Sequence, residues 1–240
     1  MSTIKTFINL SLLLLLSSCA VMNNLYVNDP VSVEDGDANL YLGIGTGIRA
    51  DIDSVDQDGN IIFSDDIIMA YSLCLGGQIN LVDKLDLRVM AHLPYIVAGF
   101  GLRAGPQFSF FKKESKFNMA IGADFGFVLA KDSLEILGTT SELDIYANSA
   151  FNADFFIPFS YSFNQDTRII ITPRYSFNTI NIRHNTGESE SFKFEPEFPS
   201  LTLGLRMKSL YFEISAFRFQ GEYFPNFGVV YYFTNEGETE

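Results

Sequence analysis

The chain has 240 residues, with 29 acidic against 16 basic side chains, a net charge of −13, 24 Phe, 11 Tyr and no Trp. This balance argues against a nucleic-acid partner, because neutralising phosphates needs clustered Lys and Arg. Past the N-terminus no apolar run reaches the roughly 18 uncharged residues of a membrane-spanning helix, so any embedding falls to strands, which in lipid must close into a barrel.

Residues 1–18 read as a signal peptide. Lys5 supplies a weak positive charge, Phe7 to Leu16 form a short apolar core, and small residues follow. Two cleavage readings compete. Ser18-Cys19-Ala20 fits the small-x-small rule of ordinary signal peptidase. Leu16-Ser17-Ser18-Cys19 resembles a bacterial lipobox, which implies that Cys19 becomes the lipid-modified first residue. In lipoproteins of that kind an Asp after the cysteine retains the protein at the inner membrane, so Ala20 implies sorting to the outer membrane. Cys74 then has no partner for a disulfide and reads as a small residue on a barrel wall. Residues 19–37 show no periodicity and carry Asn, Asp, Glu, Gly and Pro. They are expected to be a flexible tether.

From Ala38 onward apolar and polar residues alternate with the period of a strand. Phe117, Met119, Ile121, Ala123, Phe125, Phe127 and Leu129 share one face; Asn118, Ala120, Gly122, Asp124, Gly126 and Val128 share the other. The pattern recurs near 40–52, 71–78, 85–93, 100–110, 151–162, 168–177, 200–207, 210–218 and 223–233. It predicts an all-β fold: a closed antiparallel up-and-down transmembrane barrel over 38–233 with about ten strands of about ten residues each. Eight and twelve strands are the alternatives. The polar faces are rich in Gly, Ala and Ser with isolated Arg and Asp, which suits a narrow filled interior rather than a solvated surface. Arg88, Arg103, Asp124, Asp154, Arg174 and Arg206 are expected to form an ion network in the lumen, since buried charges must pair. A turn centred between Lys113 and Glu114 sets Arg103 directly opposite Asp124.

The connections alternate in length. Val82-Asp83-Lys84, Lys112 to Ser115, Asn164 to Asp166 and Lys208-Ser209 are short and fall at one end; the longest, near 53–66, 131–147 and 181–197, fall at the other. Outer-membrane barrels place short turns in the periplasm and long loops outside. Both termini are then expected in the periplasm, with the lipid of Cys19 in the inner leaflet. Asn226-Phe227-Gly228-Val229-Val230-Tyr231-Tyr232-Phe233 resembles the β-signal of outer-membrane barrels, which implies recognition of Asn226, Gly228, Tyr231 and Phe233 by the barrel assembly machinery. The departure is the acidic tail 234–240 that follows.

Chemistry is sparse. His92, His184, Asp65 and Asp66 could stand near the outer rim as an acid-base set, but no Asp-x-His or His-x-Ser spacing of the known barrel enzymes is present. Ser54 to Asp65 partly mimics a calcium loop, but Asp58-Gly59 is read in preference as a hairpin turn. No metal and no cofactor is expected. The reading is an outer-membrane barrel with a structural or surface-interaction role, its interior plugged by polar side chains. A narrow channel for small solutes is the second reading and a surface enzyme the third. The expected partners are outer-membrane lipid and, during biogenesis, the assembly machinery.

Overall fold

The computed structural model describes residues 19–23, 25, 27–33, 37–55, 61–94, 99–130, 133–136, 139–142, 145–186, 188–194, 197–219 and 222–233. The signal peptide, the acidic tail 234–240 and Asp58-Gly59 lie outside them. The strands in chain order are β1 (Cys19–Asn23), β2 (Ala38–Val55), β3 (Ile61–Val82), β4 (Leu85–Pro94), β5 (Gly99–Ser109), β6 (Phe117–Ala130), β7 (Ser133–Ile136), β8 (Thr139–Glu142), β9 (Ile145–Phe156), β10 (Phe159–Ser162), β11 (Thr167–Thr186), β12 (Glu188–Phe194), β13 (Glu197–Met207), β14 (Leu210–Phe219) and β15 (Glu222–Phe233).

Ten antiparallel staves close into a barrel, in the order β2, β3, β4, β5, β6, β9 with β10, β11, β13, β14, β15. β15 returns to β2 and pairs from Gly228↔Gly45 to Phe233↔Leu40. The sixth stave is broken at Ile157-Pro158, because a proline cannot donate to a ladder; Ala120 N–H instead bonds the Pro158 carbonyl at 3.0 Å.

Side chains alternate as the pleat requires. Along β6 the residues Phe117, Ile121, Phe125, Phe127 and Leu129 are exposed on the outside, whereas Asn118, Ala120, Gly122, Asp124 and Gly126 are buried inside. The same inversion runs round the barrel: Ile44, Tyr71, Leu75, Phe155, Ile171, Leu203, Ile214 and Tyr231 point out, and Gln78, Arg103, Asp154, Thr172, Glu213 and Asn226 point in. Near the short turns the outer face carries aromatic contacts, among them Phe108–Phe110, Phe111–Phe117, Tyr161–Phe163 and Tyr231–Phe233.

At the short-turn end, two-residue turns at Asp83-Lys84 and Lys208-Ser209 join β3 to β4 and β13 to β14. Lys84 and Lys208 take positive φ of 65° and 50° there, which closes each hairpin with the twist its strands need. Neighbouring turns are tied together: Ser109 N–H bonds the Lys84 carbonyl, Lys208 N–H the Asp166 carbonyl and Tyr232 N–H the Ser209 carbonyl.

Two expectations are corrected. The long connections are largely ladder. β2 and β3 stay paired up to Val55↔Ile61, β11 continues against β12 to Thr186↔Glu188, and β7 pairs with β8. Asp65 and Asp66 therefore lie in β3 and His184 in β11, rather than in loops. The second correction concerns 19–37. Leu25, Val27, Asn28, Asp29, Val31 and Val33 are buried inside the barrel, so these residues are no free tether. Asp37 lies at the short-turn end, where its carbonyl accepts from Asn80 N–H, whereas Cys19 pairs with Asp51 near the long-connection end. Cys19 and the end of β15 thus lie at opposite ends of the barrel, which corrects the expectation that both share the short-turn end.

Candidate functional site: a lumen filled by its own chain

The backbone polar groups of a segment buried inside a barrel need hydrogen-bond partners. The inner wall supplies them. Arg88 Nη2 donates to the Val27 carbonyl (3.4 Å), Gln107 Nε2 to that of Asp29 (2.7 Å), Ser109 Oγ to that of Pro30 (2.7 Å) and Gln78 Nε2 to that of Val31 (3.2 Å). In the other direction, Val27 N–H donates to Glu213 Oε2 at 3.2 Å. Val27 holds φ of 47°, uncommon and strained for a β-branched residue, and both its amide and its carbonyl are bonded to the wall.

The side chains of the segment are matched as well. Asp29 accepts from Arg168 Nη1 at 3.2 Å and from Arg206 Nη1, and its Oδ1 also caps the Val31 amide. Asn28 Oδ1 accepts from Arg174 Nη2 at 3.1 Å. Ser32 donates to Asp86, which also accepts from Gln78 and Asn80. Leu25 rests where β2 and β15 meet; a Cβ at Gly45 would come within 2.8 Å of the Leu25 Cβ. Glycine at 45 is therefore needed for the close approach of the segment to the wall.

Around it lies the wall network. Arg88 reaches Asp124 at 3.3 Å, and Asp154 receives both Arg103 at 3.4 Å and Arg174 at 3.2 Å. Phe156 stands between the guanidinium groups of Arg88 and Arg174, 4.5 and 4.8 Å from its ring centre, and Arg206 lies 4.0 Å over Tyr232. All six residues expected in the lumen face inward, Arg206 near the short-turn rim. The expected opposition of Arg103 and Asp124 is corrected: Arg103 stands across from Gly126, and Ser109 from Ala120. The connection after β5 takes more residues than a tight turn at Lys113-Glu114, which slides the register by two. A slip of two keeps both residues on the inner face and changes their partners.

Among the described residues, Arg88, Arg103, Arg168, Arg174 and Arg206 face the lumen, against the wall carboxylates Asp86, Asp124, Asp154 and Glu213. Asp29 adds a further carboxylate to that wall set. Sequence reasoning missed Asp29, and it set Arg168 on the polar face of its strand without counting it in the ion network. The available signal was Asn28-Asp29-Pro30 flanked by Val27, Val31 and Val33, an apolar-flanked stretch unlike a solvated linker.

The other candidates are placed as follows. His92 is buried inside the barrel against Gly101 and is not at a rim with Asp65, Asp66 or His184. Cys74 is a buried free thiol on the inner wall. In β15, Asn226 and Gly228 face inward, and Tyr231 and Phe233 outward. Among the described residues no helix is long and apolar enough to cross a membrane.

These features define an all-β closed barrel with its lumen occupied by its own N-terminal segment. No protein-family model matches the chain, and no curated protein matches it. Solved structures similar to it include the KdgM porin in complex with disordered oligogalacturonate, at 11% identity and a TM-score of 0.36, covering 82% of this chain and 100% of that one. Neisserial surface protein A matches at 13% identity and a TM-score of 0.38, covering 82% and 99%. Ail, the attachment invasion locus protein of Yersinia pestis, in complex with the heparin analogue sucrose octasulfate, matches at 12% identity and 0.31, covering 82% and 97%. These are bacterial outer-membrane β-barrel proteins.

Proposed function

We propose that this chain is an outer-membrane β-barrel with a structural or surface-interaction role and a closed lumen. The observation that carries the reading is the inverted surface. Ile44, Tyr71 and Leu75 keep 57%, 67% and 57% of their surface exposed outside, while Asp124 and Asp154 keep 2% and 1% inside. Such a distribution is costly in water and favourable in a bilayer, where an apolar band about 25 Å tall flanked by aromatic girdles is required. The short turns then face the periplasm and the long connections the exterior. The lipobox supports lipid modification of Cys19, and β15 supports recognition by the assembly machinery through Asn226, Gly228, Tyr231 and Phe233. Cys19→Ser tests the anchor: incorporation of labelled fatty acid is expected to vanish, and unchanged labelling would remove it.

Conductance across a planar bilayer tests closure. The full chain is expected to give no steady current, because Leu25, Val27, Asn28, Asp29, Val31 and Val33 are buried in the lumen. Large ohmic steps from the unaltered protein would overturn this. A second reading, a narrow channel, is favoured by one observation: Asp29 and Pro30 are held in the lumen by wall side chains and not by a ladder, so they can move without breaking a stave. On that reading Asp29→Asn opens current that the parent lacks.

A further inference from the structure

We infer that β1 holds the segment buried in the lumen to the seam between the first and last staves, so that the Cys19 end of β1 is delivered to the long-connection side, opposite to β15's end. The inference rests on the membrane reading above for its two sides, and on the fold alone for the threading.

The seam is the observation. β15 pairs with β2 only as far as Gly228↔Gly45. At the next position Thr46 replaces the ladder with its side chain: its Oγ1 accepts from Phe227 N–H at 2.8 Å and lies 3.3 Å from the Phe227 carbonyl, to which it donates. A side chain that takes both backbone groups of the neighbouring strand ends the pairing there. Beyond it, the edge of β2 that β15 has left is taken by β1, with Asn23↔Gly47 through Cys19↔Asp51. The order along the edge is therefore last stave, threonine clamp, N-terminal strand.

An open edge in a bilayer leaves N–H and C=O groups without partners, which lipid cannot supply. β1 covers that edge. Two anchors then fix the direction of the chain. β1 lies at the long-connection end, and Asp29 is clamped by Arg168 and Arg206 next to the short turns at 163–166 and 208–209. Between them, Leu25 lies against Gly45 and Gly228, and Val27 bonds Arg88 and Glu213 on the inner wall. An acyl group on Cys19 would accordingly enter the leaflet on the long-connection side, beside the seam, rather than the leaflet nearest the short turns.

Two measurements on the full-length chain test this. The first is a cross-link: Asn23→Cys with Gly47→Cys, oxidised in folded, membrane-inserted protein. A disulfide between 23 and 47 in most molecules is expected, and two free thiols in folded barrel would overturn the seam. The second is sidedness. Val21→Cys, Thr140→Cys and Ser115→Cys are labelled separately with an impermeant maleimide, on intact and on opened cells. Position 21 is expected to follow Thr140, whichever side Thr140 proves to face. If it follows Ser115, the threading is wrong. If Thr140 and Ser115 behave alike, the membrane reading has failed instead, and the cross-link still decides the threading.

Discussion

Asp29 and Arg206 lie 177 residues apart in the chain and meet inside the barrel, where Arg168 completes the clamp. Removing one partner of a buried pair strands the other, at a cost of about 3–5 kcal/mol. The two arginine side chains retain 14% and 13% of their exposure, so the lower end of that range is expected for Asp29→Asn. The urea midpoint of the folded barrel should fall while its spectroscopic β-content before the transition stays the same. An unchanged midpoint would show that the clamp on Asp29 contributes nothing to the folded state.

Asp154 receives two arginines, Arg103 and Arg174, whereas Asp124 receives Arg88. Asp154→Asn should therefore destabilise more than Arg103→Gln or Arg174→Gln alone. In a double-mutant cycle, Arg88→Gln and Asp124→Asn should couple by about 0.5–3 kcal/mol, the range for residues sharing one ion pair. Strict additivity would separate these two side chains.

Leu25 and Gly45 are in close approach, and the Cβ that alanine would add is 2.8 Å from the Leu25 Cβ. Gly45→Ala should cost about 1–3 kcal/mol through overpacking. Leu25→Gly in the same chain should recover part of that loss, because the clash disappears with the leucine side chain. No recovery would mean that the glycine serves the ladder rather than the threaded segment.

The barrel was legible because its outer and inner faces carry opposite chemistry on alternate residues: Phe125 and Asp124 are neighbours in sequence and face opposite sides of the wall. Register was not legible. The pairing of Arg103 depends on how many residues the connection after β5 consumes, and alternation is unchanged by a slip of two. The paired tips of β11 and β12 were hidden because both faces there carry polar residues, as in Glu188-Ser189-Glu190-Ser191. The threaded segment was hidden for a further reason. Its backbone is met by side chains spread over β3, β4, β5 and β14, through Gln78, Arg88, Gln107, Ser109 and Glu213, so it has no strand period of its own.

Within β15, Gly228 lies on the inner wall beside Leu25 and Glu213, and Phe233 closes the pairing with Leu40 on the outside. Gly228→Asp and Phe233→Ala should each lower the amount of heat-modifiable folded barrel in the membrane and leave precursor behind. Wild-type amounts in both variants would remove the assembly role of this strand.

The inverted surface is most directly tested with fluorescence, since the chain contains no Trp. Phe125 is 49% exposed on the outer face and Phe156 is 1% exposed between Arg88 and Arg174 inside. Phe125→Trp and Phe156→Trp are each reconstituted into vesicles whose acyl chains carry bromine. Strong quenching of Trp at 125 and little at 156 is predicted. Quenching at 156 with none at 125, or none at either position, would contradict a barrel whose apolar face meets lipid.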